Sequence, residues 1–218
     1  MSERKKLVDI CKKVYQKRFV ASTDGNISTI TSDNTFLITR SGISKGEVTE
    51  DDILEIDSTG KILNGNGKLS TEFKIHLFAY SRRPEVNAVV HCHPIYATAF
   101  AAAGEDFTKH VFPEVILTLG KVPLCKYETP STDELALSME PYIDHSWAFL
   151  LQNHGAVTLG LNLDDAYFKM EKLEHTAHTI FAAKLLGGEK ELSFEKVKEL
   201  INLAREVYGI VPDERNIF

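Results

Sequence analysis

A chain of 218 residues with 43% hydrophobic and 26% charged residues has the balance of a globular protein, not of a disordered one. Its net charge of −6 gives no basic face for nucleic acid or an anionic membrane, so an anionic ligand needs a local pocket of donors. Cys11, Cys92 and Cys125 are too scattered for a disulfide framework or a C-x-x-C knuckle, and no apolar run reaches the ~18 residues of a membrane span. With no apolar signal-like stretch over Met1–Lys13, these features point to a soluble protein of the reducing cytoplasm.

In chain order, Leu7, Ile10, Cys11 and Val14 mark an amphipathic helix over 3–19. Asp24-Gly25-Asn26 is a turn signal, and Ile27 to Arg40 holds two short strands split by Ser32-Asp33-Asn34. Ile53–Ile56 and Lys61–Leu63 form a second strand pair around Asp57–Gly60, closed by the two Asn-Gly pairs of 64–67. Ser70 can cap a helix carrying Phe73, Leu77 and Tyr80 that stops before Pro84. Ala88–His93 reads as a buried strand, and Tyr96–Ala103 as a helix ended by Gly104. Val115–Leu119 and Val122–Leu124 are strand candidates around Gly120. Thr132 opens a helix to about Tyr142, Ala148–Gln152 is another buried strand, and helices cover 164–186 and 194–208. Early hairpins and the lack of a β-α-β rhythm predict an α/β fold with a central, mainly antiparallel sheet flanked by helices, one domain over 1–218.

His91 and His93 are two apart at a strand end, so both imidazoles leave the same face while Cys92 points into the opposite one. His154 follows a second apolar strand, in the turn Gln152-Asn153-His154-Gly155. Three neutral imidazoles suit zinc and leave a coordination position free for chemistry. Each piece also has a plain reading: H-x-H recurs without metal, and a histidine after a strand often only hydrogen-bonds a turn. Glu72, two residues after Ser70, equally suits a helix start through the macrodipole alone. His175 and His178 share a helix face, but Leu173, Ile180 and Phe181 around them favour packing or a subunit interface. His76, His110 and His145 have no evident partner.

Taken together, Asp24–Ser28, Ile38–Ile43, Leu69–Glu72, Ala88–His93 and Gln152–Gly155 resemble, in order and spacing, the class II aldolase and adducin-head family. The resemblance implies a homotetramer with active sites between subunits. It implies a metal held by Glu72, His91, His93 and His154, zinc first, with manganese or cobalt as alternatives. It places substrate phosphate on Asn26, Ser41, Gly42, Ser70 and Thr71, where helix-terminal N–H groups and small polar donors could hold an anion.

For acid–base chemistry the resemblance offers Glu72, Tyr208 and Glu114. Tyr208 matches the C-terminal tyrosine of fuculose-phosphate aldolases, whereas a carboxylate at Glu114 looks more like the methylthioribulose-phosphate dehydratase branch. The implied activity is reversible cleavage of a ketose 1-phosphate to dihydroxyacetone phosphate and an aldehyde. Dehydration, 4-epimerisation or decarboxylation of a related sugar phosphate is the alternative. Adducin heads are binding modules without the metal set, and all four positions are filled in this chain.

Overall fold

The computed structural model describes residues 2–218, apart from the side chain of Tyr208. The elements run α1 (Glu3–Gln16), β1 (Asn26–Ile30), β2 (Phe36–Thr39), β3 (Ile53–Ile56), β4 (Ile62–Asn64), α2 (Phe73–Arg82), β5 (Ala88–Cys92) and α3 (Ile95–Ala103). They continue with α4 (Pro113–Thr118), β6 (Leu124–Cys125), α5 (Asp133–Leu137), β7 (Ala148–Leu151), β8 (Gly155–Gly160), α6 (Leu163–Leu185) and α7 (Phe194–Tyr208). The strands form one eight-stranded sheet in the order β4-β3-β2-β1-β5-β8-β7-β6. Neighbours are antiparallel except β6 and β7, which run parallel. The expected α/β fold with a mainly antiparallel sheet is therefore present.

Both faces of the sheet are covered, because residues alternate between them. Ala88, Val90 and Cys92 of β5 join Leu7, Cys11, Val14, Met170 and Leu173 in a core beneath α1, α3 and α6. Val89, with Ile75, Ala79, Leu135 and Met139, belongs to the opposite core beneath α2 and α5. Helix α6 supplies the longest stripe, burying Leu163, Ala166, Tyr167, Met170, Leu173, Ala177 and Ile180 at three- and four-residue spacing. Each fully buried leucine there contributes about 1.5–3 kcal/mol. All three cysteines are buried and free. Among the described residues no helix is long and apolar enough to cross a membrane.

Four sequence expectations need correction. Val115–Leu119 is not a strand: Pro113 begins a short helix with Phe112 as its N-cap, and proline suits that first position because its missing N–H costs nothing there. Val122 makes only an isolated bridge to Phe107, and the strand that follows is Leu124–Cys125. The helix opened by Thr132 ends at Leu137, with turns in place of the remaining predicted length. Strand β8 was not expected at all, since Gly155 and Gly160 bracket it like loop signals and its burial on both faces erases alternation. It nevertheless lies in the middle of the sheet, between β5 and β7.

Candidate metal and anion site

Register builds the site. In β5–β8 pairing Cys92 faces Ala156, and in β7–β8 pairing Leu151 faces Gly155. The turn carrying His154 therefore lies across the end of β5, where His91 sits and His93 follows. Asn153 takes a left-handed conformation (φ 55°) to close that turn, a role asparagine tolerates better than most residues. The three imidazole rings stand 4.9–5.1 Å apart and meet edge to face. One ligand nitrogen from each lies within 4.8 Å of the others.

Glu72 arrives from the opposite side, on the N-cap of α2. Ser70 does not cap that helix as expected; its hydroxyl instead accepts from the Glu72 N–H at 3.4 Å and from Asn26 Nδ2 at 3.3 Å. Nor does the Glu72 carboxylate cap the helix, because it is turned toward the histidines. Its Oε1 lies 3.0 Å from His154 Nε2, and its Oε2 lies 3.4 Å from His91 Nε2. Asn26 Nδ2 donates to the same Oε2 at 2.8 Å. Burial acts to raise the Glu72 carboxyl, but the closeness of His154 and His91 holds it far below the usual carboxylate range. Burial, reinforced by His91 and His154, lowers His93 to about 3 and keeps it neutral.

The donor set fits a divalent cation. His91 Nδ1 donates to the Ala156 carbonyl at 3.0 Å, so its Nε2 carries a lone pair. That lone pair faces His93 Nε2 at 3.3 Å and the Glu72 carboxylate, an arrangement that a cation or proton between them relieves. Tetrahedral ligands at zinc–nitrogen distances stand about 3.3 Å apart, close to the 3.0, 3.4 and 3.3 Å of the Glu72–His154, Glu72–His91 and His91–His93 contacts. Gly155 makes the approach feasible, since a Cβ there would meet His93 Cδ2 at 2.5 Å and the Cys92 carbonyl at 2.6 Å.

The residues expected to hold phosphate gather only in part. Asn26 and Ser70 border Glu72 directly, and the Arg40–Leu69 bridge runs Ser41 and Gly42 beside the approach to α2. The Ser41 N–H is already given to the Lys68 carbonyl, at 2.8 Å. Gly42 (φ 75°) opens onto free space, and Thr71 Oγ1 is paired with Ser131 Oγ at 2.6 Å on the exposed rim. Beneath this loop Lys45 is 1% exposed, its ammonium donating to the carbonyls of Thr23 and Ile43 at 3.1 and 3.0 Å. Burial lowers its pKa.

Glu114 is not part of the cluster in its own chain. It sits exposed in the first turn of α4, lining a small cavity with Phe112, Lys172, His175 and Thr179. The expectation for the Tyr208 side chain lies outside the described residues. His178 stacks on Tyr96 at 4.0 Å, and His110 donates to the Ile217 carbonyl at 2.7 Å. Sequence reasoning missed His76, which is fully buried with hydrogen-bond partners on both ring nitrogens. Its spacing of four from Glu72, on a helix facing the H-x-H strand, was the one available signal.

A fold of this topology around three histidines and a glutamate defines a class, and comparison with known proteins agrees. The sequence profile described as "Class II Aldolase and Adducin N-terminal domain" matches residues 5–181, and the chain belongs to that family. An L-fuculose phosphate aldolase from Methanococcus maripaludis is 37% identical over 170 residues, 78% of this chain and 91% of that protein. A 3-oxo-tetronate 4-phosphate decarboxylase from Pectobacterium atrosepticum is 34% identical over 191 residues, 86% of each chain. Among solved structures, an L-fuculose 1-phosphate aldolase matches with a TM-score of 0.84 at 29% identity, covering 90% of this chain and 93% of that one.

Proposed function

We propose that this protein is a divalent-metal-dependent aldolase that cleaves a ketose 1-phosphate of the L-fuculose type to dihydroxyacetone phosphate and an aldehyde. The observation that carries the reading is the Glu72 carboxylate set between His91 and His154, opposite His93. These four residues would hold the metal, zinc being favoured by three imidazoles and one carboxylate. When bound, the ion would supply a Lewis acid that stabilises negative charge on substrate oxygens.

The chain's own groups account for the rest. In the cleavage the C3–C4 bond breaks, the C4 hydroxyl loses its proton to a base, and C3 gains one. Glu72, held ionised by its histidine neighbours, moves protons as general base. Tyr208 or Glu114 serves as the second acid or base at the aldehyde fragment. Because Glu114 lies apart from the cluster in its own chain, it would act across an interface of a symmetric homotetramer. Asn26, Ser70, Thr71, Ser41 and Gly42 would receive the phosphate, at the N-terminal end of α2. Three free buried thiols suit a cytoplasmic setting.

A second reading is decarboxylation of a 3-oxo-tetronate 4-phosphate, favoured by the Pectobacterium relative matching over 86% of each chain. Both reactions pass through a stabilised enolate, so the histidine cluster serves either. Phosphorus NMR with mass analysis separates them. Zinc-loaded protein is incubated with L-fuculose 1-phosphate, other ketose 1-phosphates and 3-oxo-tetronate 4-phosphate, beside a chelator-treated control. Metal-dependent release of dihydroxyacetone phosphate establishes the aldolase, and loss of carbon dioxide from the tetronate establishes the decarboxylase. No change in any substrate defeats both.

A further inference from the structure

We propose that His76 is a positioning residue that fixes the amide of Asn26 and, through it, aims Glu72 at the histidine cluster. The inference rests on the reading that Glu72 belongs to the active site. It starts from a continuous line of buried side chains running from the core beneath α2 to that carboxylate. Tyr80 Oη lies 2.6 Å from Ser28 Oγ, and Ser28 Oγ lies 2.6 Å from His76 Nδ1. On the other ring edge, His76 Nε2 lies 2.5 Å from Asn26 Oδ1, and Asn26 Nδ2 lies 2.8 Å from Glu72 Oε2.

The direction of every bond in the line follows from its end. An ionised carboxylate only accepts, so Asn26 must present its NH2 to Glu72 and its carbonyl to His76. His76 must then carry its hydrogen on Nε2. Burial lowers the ring to about 3, so Nδ1 is bare and accepts from the Ser28 hydroxyl. The Ser28 oxygen accepts in turn from Tyr80. Each donor points toward Glu72, and reversing the Asn26 amide would set a carbonyl against a carboxylate and an N–H against an N–H.

Such a line is costly to bury unless every member is satisfied, and the surrounding Ile75, Ala79 and Val89 show that the site accepts apolar side chains. What the polar line provides is one fixed orientation for Asn26. That orientation holds Oε2 near His91 while leaving Oε1 for His154. Groups bonded directly to a ligand, as Asn26 is to Glu72, typically carry about 10- to 100-fold in metal affinity or activity, and loss of the fixed Asn26 orientation forfeits that contribution.

The test separates the two edges of the ring. In His76→Gln the amide nitrogen replaces Nε2 and can still donate to Asn26. In His76→Asn the polar atoms reach only the Nδ1 position, so the Ser28 contact survives and the Asn26 contact is lost. His76→Leu removes both. Zinc affinity is measured on each folded variant by competition with a chelating dye, alongside Glu72→Gln.

The expected result is near-native zinc binding for His76→Gln and about 10- to 100-fold weaker binding for His76→Asn and His76→Leu. Equal behaviour of the Gln and Asn variants overturns the proposal. Long-range proton–nitrogen NMR of metal-free wild-type protein needs no variant: the His76 hydrogen is expected on Nε2, and a hydrogen on Nδ1 overturns the line. If wild-type protein binds no zinc, the reading of the site fails, while the NMR result still decides the role of His76.

Discussion

His154 Nε2 lies 3.0 Å from Glu72 Oε1, a contact that joins the β7–β8 turn to the N-terminus of α2 across the end of β5. It draws the histidine cluster and the helix start into one site. It also spends at the N-cap a carboxylate that makes no capping bond to its own helix. A side chain placed against the local preference of its helix is a sign of function elsewhere.

Metal should stabilise the folded protein. Zinc at about 100 times its dissociation constant adds about 2.7 kcal/mol, worth roughly 5–10 °C in Tm for a chain of this size. Differential scanning calorimetry with and without zinc is expected to show that rise in wild-type protein and little of it in His154→Ala. An unchanged wild-type Tm, at a zinc concentration saturating the dye assay, would remove the metal reading.

Replacing Glu72 with glutamine keeps the size of the side chain and removes its charge. Turnover of the substrate identified by phosphorus NMR should fall about 10²- to 10⁴-fold, the usual contribution of a general base. Metal content by mass spectrometry should fall less. Near-normal kcat in Glu72→Gln would show that the proton is moved by another group.

Gly155→Ala tests how closely the β7–β8 turn approaches His93. The added Cβ would meet the ring at 2.5 Å and the Cys92 carbonyl at 2.6 Å. Overpacking of this kind costs about 1–3 kcal/mol, and the flexible part of the contact is the imidazole itself. Denaturant titration should show the stability loss, and the dye assay a weaker zinc site. A variant as stable as wild type, with unchanged zinc affinity, would mean that the turn moves freely.

His76 also makes stability depend on pH. Burial lowers its folded-state pKa from 6.5 to about 3, so the unfolded chain takes up the proton first as pH falls. Its contribution is fully present above pH 6.5, declines between pH 6.5 and about 3 at up to about 1.4 kcal/mol per pH unit, and is gone below that. In metal-free protein, the stability deficit of His76→Gln relative to wild type should therefore be largest at neutral pH and shrink on acidification. Urea titrations across this range measure it; a deficit that grows toward acid would contradict the sign.

Much of the fold was legible because it rests on local patterns. The stripe at Leu7, Ile10, Cys11 and Val14 gave α1, and paired Asn-Gly signals gave the loop after β4. The alternation of His91, Cys92 and His93 correctly put Cys92 into the core beneath α6, away from the imidazoles. β8 was illegible for the opposite reason. A strand buried on both faces shows no alternation, and its bracketing glycines answer to Cys92, His93 and Ala166, which lie elsewhere in the chain.

By itself, then, the sequence determined α1, α2, α3, α6 and α7 and the early hairpins, the side-chain chemistry available, and the shared face of His91 and His93. These depend on residue type and on spacings of two to four, which the backbone repeats convert directly into direction in space. Only the tertiary structure decided that Glu72 turns from its helix toward His154, that Asn26 stands between Ser70 and Glu72, and that His76 supports Asn26. It also decided that Glu114 stands apart from them. Those outcomes are set by strand register and helix docking between segments remote in the chain, where a shift of one residue would turn every side chain to the other face.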